Sequence, residues 1–307
     1  MKKEKVLIVG TGALATLFAA RLSSAGADVT MFGSWQASLI SLKKYGAGLV
    51  ESKEREFFYP VKAVKNYSNV KFAILLVKSW QTKGVAQQLK KHLTEDAVAL
   101  TLQNGLGNGE VLRNILGAER VAQGVTTVGA SLIKPGVVKM SGDAQVSMGT
   151  HPRLEAIESL FRASNFEVTL VADIQSLIWS KLVINAAINP LTALLDIPNG
   201  DLLKIPEARK MMAELALETA SLAKAQNIPL TFENPVEEVE RVAKQTATNT
   251  SSMLQDLRRS APTEIDMISG AITKIGEKFS LPTPTNKICW QLIKSKVNRG
   301  KIREIQI

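Results

Sequence analysis

A chain of 307 residues is too long for one small core and fits two domains. Its 45% hydrophobic content describes an ordinary globular protein, and a single cysteine, Cys289, excludes an intrachain disulfide framework. The formal charge of +10 raises nucleic acid as a partner, but the excess is scattered: residues 1–170 carry 21 Lys+Arg against 13 Asp+Glu without an Arg-rich arm or an aromatic-studded basic strand. A positive field that gathers an anionic cofactor and substrate accounts for the sign without nucleic acid. His92 and His151 stand far apart, so no metal site is expected. No uninterrupted apolar run reaches the roughly 18 residues of a membrane span, and the N-terminus lacks a cleavable signal pattern. The expectation is a cytoplasmic protein with no membrane partner.

Lys5 to Val9 (KVLIV) reads as a short buried strand. Gly10-Thr11-Gly12-Ala13-Leu14-Ala15 follows, then a helical run closed by Gly26, then a second strand, Asp28 to Phe32. Strand, glycine turn, helix and strand within about 30 residues form the context in which a glycine turn cradles a dinucleotide pyrophosphate. Gly10 permits the tight turn, Gly12 lets backbone approach the phosphates, and Ala15 stands where a third glycine often does. After the second strand, Gly33-Ser34-Trp35 supplies neither the acid that binds the ribose hydroxyls of NAD nor the arginine that welcomes the phosphate of NADP. Ser34 remains as a donor.

Residues 48–64 alternate as a β excursion limited by Pro60. Lys71 to Val77 is a buried strand with Lys78 at its C-terminal end, the edge where ligands of open α/β sheets collect. That position makes Lys78 a candidate phosphate contact. Gln81 to Leu93 reads as a helix and Ala97 to Leu102 as a strand, ending in a turn where Asn104 can meet nicotinamide or substrate. Strands are expected over 121–128 and 137–148 around the Lys134–Gly136 turn, a helix over 154–163 and a last strand over 167–171.

Past residue 172 the pattern turns helical, with expected helices near 174–189, 207–226, 235–247, 264–278 and 285–298. The fold class is therefore an α/β Rossmann-type dinucleotide-binding domain, 1–172, followed by an all-α domain, 173–307. Two-domain enzymes bind substrate in the crevice at such a junction. In Leu177–Ala193, Lys181, Asn185 and Asn189 recur every four residues and form one polar stripe on an apolar helix. An amine followed by two amides suits a small oxygen-rich ligand. Pro190 is expected to end or kink this helix, leaving Asn189 at a break. Lys181 is the candidate proton donor, since no histidine follows it. Glu264 reads either as an acid at a helix N-terminus, capped by Thr263, or as a crevice carboxylate; residues 264, 268 and 271 would share a face. One of Ser251 and Ser252 is expected to cap a helix, leaving the other to meet a carboxylate.

GTGALA at 10–15, LLVKSWQT at 75–82, LQNGLGN at 102–108, WSKLVINAAINPLTAL at 179–194 and TSSMLQDLRRSAPTEIDMISG at 250–270 together resemble the ketopantoate reductase family. The resemblance implies a two-domain enzyme that uses NADPH to reduce ketopantoate in pantothenate biosynthesis. It implies Lys181 as the catalytic lysine and Glu264 as the acidic residue of the substrate site. It further implies substrate contacts at Asn185, Asn189 and Ser252, Asn104 on the nicotinamide side, and Lys78 on the cofactor phosphate. Relatives commonly carry Gly-Arg where this chain has Gly33-Ser34, so NADH use is expected beside NADPH. The rival readings are a related dehydrogenase of another small 2-keto or hydroxy acid and a nicotinamide-binding sensor without chemistry. A homodimer is compatible with the apolar helix faces.

Overall fold

A computed structural model describes residues 4–51 and 54–305. The chain divides into a sheet unit, residues 1–103 with 108–174, and a helical unit, residues 104–107 with 175–307.

In the sheet unit, β1 (Lys5–Val9) pairs in parallel with β2 (Asp28–Phe32) on one side and β6 (Val70–Leu75) on the other. The remaining strands are β3 (Ala47–Val50), β4 (Glu56–Tyr59), β5 (Lys62–Val64), β7 (Leu93–Thr101), β8 (Val121–Thr126), β9 (Gly129–Lys134), β10 (Val137–Ser141), β11 (Gln145–Gly149) and β12 (Glu167–Val171). The main sheet runs β12-β11-β8-β7-β6-β1-β2-β5, parallel except where β11 meets β8. The chain winds outward from β1 to β2 and β5, then returns to β6 and winds the other way. This reversal puts the topological switch point between β1 and β6, immediately beyond Val9 and Leu75. The helices of this unit are α1 (Ala13–Ser24), α2 (Gln36–Tyr45), α3 (Thr82–Lys90), α4 (Asn108–Leu116) and α5 (Glu155–Ala163).

The expected β excursion at 48–64 exists as β3, β4 and β5, with residues 52 and 53 outside the described residues. Its first two strands leave the main sheet. They pair as β4-β3-β10-β9 in a second, four-stranded sheet, in which β3 and β10 run parallel. Leu49 and Val138 of that sheet share a core with Phe18 of α1 and with Ile8 and Met31 of the main sheet. Helix α1 thus lies between two sheets, which is why its residues are apolar on almost every side. Phe18 stacks on Phe166 at 4.6 Å and meets Phe161 edge-on at 5.6 Å. The opposite face of the main sheet buries Leu7, Val9 and Ala73 against Val85 and Leu89 of α3 and Leu112 of α4.

The helical unit contains α6 (Ile174–Leu195), α7 (Pro206–Ala225), α8 (Pro235–Gln245), α9 (Ser252–Arg258), α10 (Ser269–Phe279) and α11 (Pro284–Ile305). Helix α6 is its axis. Trp179, Leu182 and Ala186 face one apolar cluster, and Val183, Ala187 and Leu191 face another. By length and composition α6 passes for a membrane span, yet 67% of its apolar window is buried within the protein, as expected of a core helix. The Glu218 carboxylate of α7 accepts from the Thr285 and Asn286 backbone N–H groups at 2.8 and 2.9 Å, capping α11 from a neighbouring helix.

Two local expectations need correction. Pro190 does not end α6, which continues to Leu195 with Pro190 buried inside it. The proline removes one donor, the N–H that would reach the Ala186 carbonyl, and packing of the flanking turns outweighs that loss. The expected helix over 264–278 is two elements: a single 3₁₀ turn, Ile265–Met267, then α10, separated by Ile268 at φ −107° and ψ −96°. Residues 264, 268 and 271 therefore do not lie along one helix.

Gly10 has φ +135°, and a Cβ there would stand 2.9 Å from the Leu76 carbonyl oxygen and 3.2 Å from Ala15 Cβ. Gly10→Ala is expected to cost roughly 1–3 kcal/mol, since backbone strain and the clash act together. A urea denaturation curve checks this, and an unchanged midpoint would show that the turn relaxes freely.

Candidate active site

The glycine turn is held at the switch point by backbone bonds to both neighbouring strand ends. Gly10 N–H donates to the Phe32 carbonyl at 2.7 Å, and Leu76 N–H donates to the Val9 carbonyl at 2.9 Å. Thr11 is buried, and its carbonyl accepts from the Ser38 hydroxyl of α2 at 2.8 Å, an anchor not foreseen in the sequence. Gly12 is the N-cap of α1, and no side chain caps that first turn. A Cβ built on Gly12 would meet nothing within 4 Å, so the turn is open on that side. Ala13 and Leu14 begin the helix. Such a turn, with a helix N-terminus behind it, can hold a dinucleotide pyrophosphate.

Lys78 lies three residues past the end of β6, partly buried, and Ser34 lies two residues past the end of β2, exposed. Both strands flank β1, so the two residues belong to segments beside the turn. Gly33 is pressed against it: a Cβ there would be 2.8 Å from the Thr11 side chain. The position before Ser34 therefore has little room for a larger residue.

The helical unit gathers a second group. Lys181 and Asn185 are partly buried on α6, and Asn189 is buried at 8% exposure. Burial pulls the Lys181 ammonium from its ordinary 10.5 down to about 8, against the opposing pull of the Glu264 carboxylate. Glu264 is itself buried, at 8% exposure, as the N-cap of the 3₁₀ turn. Its side chain makes no capping bond and the buried Thr263 hydroxyl has no hydrogen-bond partner, so Thr263 is not a cap, while Glu264 does stand at the N-terminus of a short helical turn.

Asn104 Nδ2 donates to Glu264 Oε2 at 3.5 Å, and Leu106 N–H donates to the Met267 carbonyl at 2.9 Å. The Asn104–Gly107 loop is thereby laid along the 3₁₀ turn. Gly105 at φ +80° is required there, because a Cβ would come within 2.5 Å of the Met267 carbonyl oxygen. The loop's ends are pinned within the sheet unit: Gln103 Nε2 donates to the Val77 carbonyl and to Thr82 Oγ1, both at 2.9 Å. Thr82 in turn donates to Asn108 Oδ1 at 2.9 Å. The sequence signals the turn, through Asn104-Gly105, but not this long-range anchoring.

Ser251 caps α9, accepting from Leu254 N–H at 3.2 Å, and the Thr192 and Ser251 hydroxyl oxygens are 2.7 Å apart. Ser252 is exposed at the first helical position. The serine pair thus divides into a cap and an outward hydroxyl. Among the described residues no group of three or more His, Cys, Asp or Glu side chains forms a metal site. Chemically, a partly desolvated amine, a buried carboxylate and several amides can bind a small oxygenated anion and give it a proton.

Residues 6–153 match the family described as "Ketopantoate reductase PanE/ApbA", and residues 173–297 match its C-terminal domain. A 2-dehydropantoate 2-reductase of Archaeoglobus fulgidus is 33% identical over 300 residues, covering 96% of this chain and 98% of that protein. The solved PanE/ApbA family ketopantoate reductase from Ralstonia eutropha JMP134 superposes with a TM-score of 0.90 at 26% identity, over 97% of this chain and 99% of that one. A D-mandelate dehydrogenase, solved with NADH and anilino(oxo)acetate, gives the same TM-score, identity and coverage. Matching in sequence across both halves and in fold over nearly its whole length, this chain belongs to the ketopantoate reductase family.

Proposed function

We propose that the protein is a 2-dehydropantoate 2-reductase, reducing ketopantoate to pantoate with NADPH in the route to pantothenate. The observation that carries this reading is the match of both halves of the chain to the ketopantoate reductase family, with the buried Glu264 carboxylate bonded by Asn104 and acting on the Lys181 amine. When bound, a nicotinamide cofactor would supply the hydride for the carbonyl carbon of the substrate. The Gly10–Leu14 turn and the first N–H groups of α1 would hold the pyrophosphate, and Lys78 and Ser34 would meet its phosphates. Lys181 gives its proton to the carbonyl oxygen as the alkoxide forms, and before transfer its positive charge stabilises that developing anion. Glu264 accepts a hydrogen bond from a substrate hydroxyl and favours the protonated lysine. Asn185, Asn189 and Ser252 orient the carboxylate and hydroxyl groups. Asn104 donates to the Glu264 carboxylate, and in this reading it would also face the nicotinamide. In this reading 1–172 binds cofactor and 173–307 binds substrate. The buried free thiol of Cys289 suits the reducing cytoplasm.

A second reading has one observation in its favour. Gly33-Ser34 lacks the arginine expected of an NADP site, and the similar D-mandelate dehydrogenase was solved with NADH. An NADH-dependent reductase of another 2-keto acid would fit both facts. Measuring kcat/KM over a panel of 2-keto acids with each cofactor separates the readings. Ketopantoate with NADPH should be preferred, with NADH also used.

Four outcomes follow from the residue roles. Reduction needs the protonated amine, so kcat should be level at low pH and fall as pH rises through about 8. Lys181→Met should lower kcat by about 10²–10⁴-fold while cofactor affinity, read by fluorescence titration, stays near wild type. Glu264→Gln removes the charge that holds the lysine pKa up, so the alkaline limb should move below 8; an unmoved limb would detach Glu264 from Lys181. Lys78→Ala should raise KM for NADPH about tenfold more than KM for NADH, the loss of one charged hydrogen bond. Equal effects on both cofactors would remove Lys78 from the 2′-phosphate.

A further inference from the structure

Thr192 continues the polar stripe of α6 by one turn. On an ideal helix Lys181, Asn185 and Asn189 span about 80° of arc, and Thr192 falls at about 20°, inside that arc. Its side chain is fully buried, with Oγ1 3.0 Å from each of the Ile188 and Asn189 carbonyl oxygens and 2.7 Å from Ser251 Oγ. Ser251 is already an acceptor, taking the Leu254 N–H as the cap of α9.

Each hydroxyl has one proton, which fixes the direction of the chain of bonds. The carbonyls at 188 and 189 only accept, so the Thr192 proton goes to them. The Ser251 proton then goes to Thr192 Oγ1. Leu254 N–H, Ser251, Thr192 and the paired carbonyls of Ile188 and Asn189 thus form one relay, with neither of its two hydroxyls left unsatisfied in a buried place. Helix α9 has only seven residues, too few to hold a position by its own helicity. The relay fastens its first turn to the stripe, two hydrogen bonds away from Asn189 and one residue away from Ser252.

We propose that Thr192 is a positioning residue for substrate binding: through Ser251 it sets Ser252 in register with Asn189, so that both meet the same small anion. This rests on the reading of Asn189 and Ser252 as substrate contacts. The relay touches neither the proton donor nor the glycine turn, so its loss should weaken substrate binding selectively.

Thr192→Val removes the hydroxyl at nearly constant volume, Thr192→Ser keeps it, and Ser251→Gly removes the link while glycine still serves as an N-cap. Kinetics use whichever 2-keto acid wild type reduces fastest, so a preference for another acid overturns the ketopantoate reading and leaves this test intact. The expected result is a rise in substrate KM of about tenfold in Thr192→Val and Ser251→Gly. Cofactor KM should stay unchanged, and Thr192→Ser should restore the substrate KM. Unchanged substrate KM in both variants overturns the proposal. So does a rise that Thr192→Ser does not reverse, or an equal rise in cofactor KM, since a merely structural role would produce those.

Discussion

Taking an ammonium group out of water costs free energy, and the helical unit is arranged around the one on α6. The fall of Lys181 from 10.5 to about 8 corresponds to roughly 3 kcal/mol between its two protonation states. Because the folded pKa lies below the unfolded one, the penalty is fully present below about pH 8 and is relieved as pH rises toward about 10.4. In the proposed reduction, that penalty is also what makes the proton transferable near neutrality. An exposed lysine would hold its proton too firmly, and a lysine without an acid nearby would be neutral too early. Glu264 supplies the counterweight.

The counterweight is itself held by irregular backbone rather than by a helix. A carboxylate on a regular helix would have its neighbours at fixed spacing along one face. Here Glu264 begins a single 3₁₀ turn whose last carbonyl, Met267, is taken by Leu106 N–H. That leaves Asn104 lying along the turn and bonded to the carboxylate. Glycine at 105 is the local requirement for this approach. An arrangement of this kind depends on a few backbone positions that tolerate almost no added volume.

The sequence made the regular parts of this arrangement legible. KVLIV, the glycine turn and DVTMF are local signals, and they stand where their pattern places them, as does the helix at 206–225, while the last helix begins as expected at 284 but runs on to 305 rather than 298. The stripe on α6 was readable because a helix repeats its faces. What escaped was set by distant partners. Pro190 reads as a breaker, yet α6 is buried against two apolar clusters that sustain it past the proline. The helix expected from residue 264 is interrupted because Met267 has a partner some 160 residues earlier in the chain, Leu106. The strands at 47–59 were expected, but their departure into a second sheet depends on pairing with β10, about 90 residues onward. Ser38, Gln103 and Thr192 carry no local signal of their hydrogen-bond partners, and each shows its use only through a contact across the fold.

The loop at 104–107 also bears on how members of this family can exchange parts. A recombination point placed near residue 174 would look clean along the chain, since the change from strands to helices falls there. It would nonetheless separate Asn104 from the Glu264 it bonds and Leu106 from the Met267 carbonyl. A hybrid that takes its helical half from a relative therefore has to import that relative's four-residue loop as well. Inheritance of the two halves is linked through a segment that linear domain boundaries assign to the wrong parent.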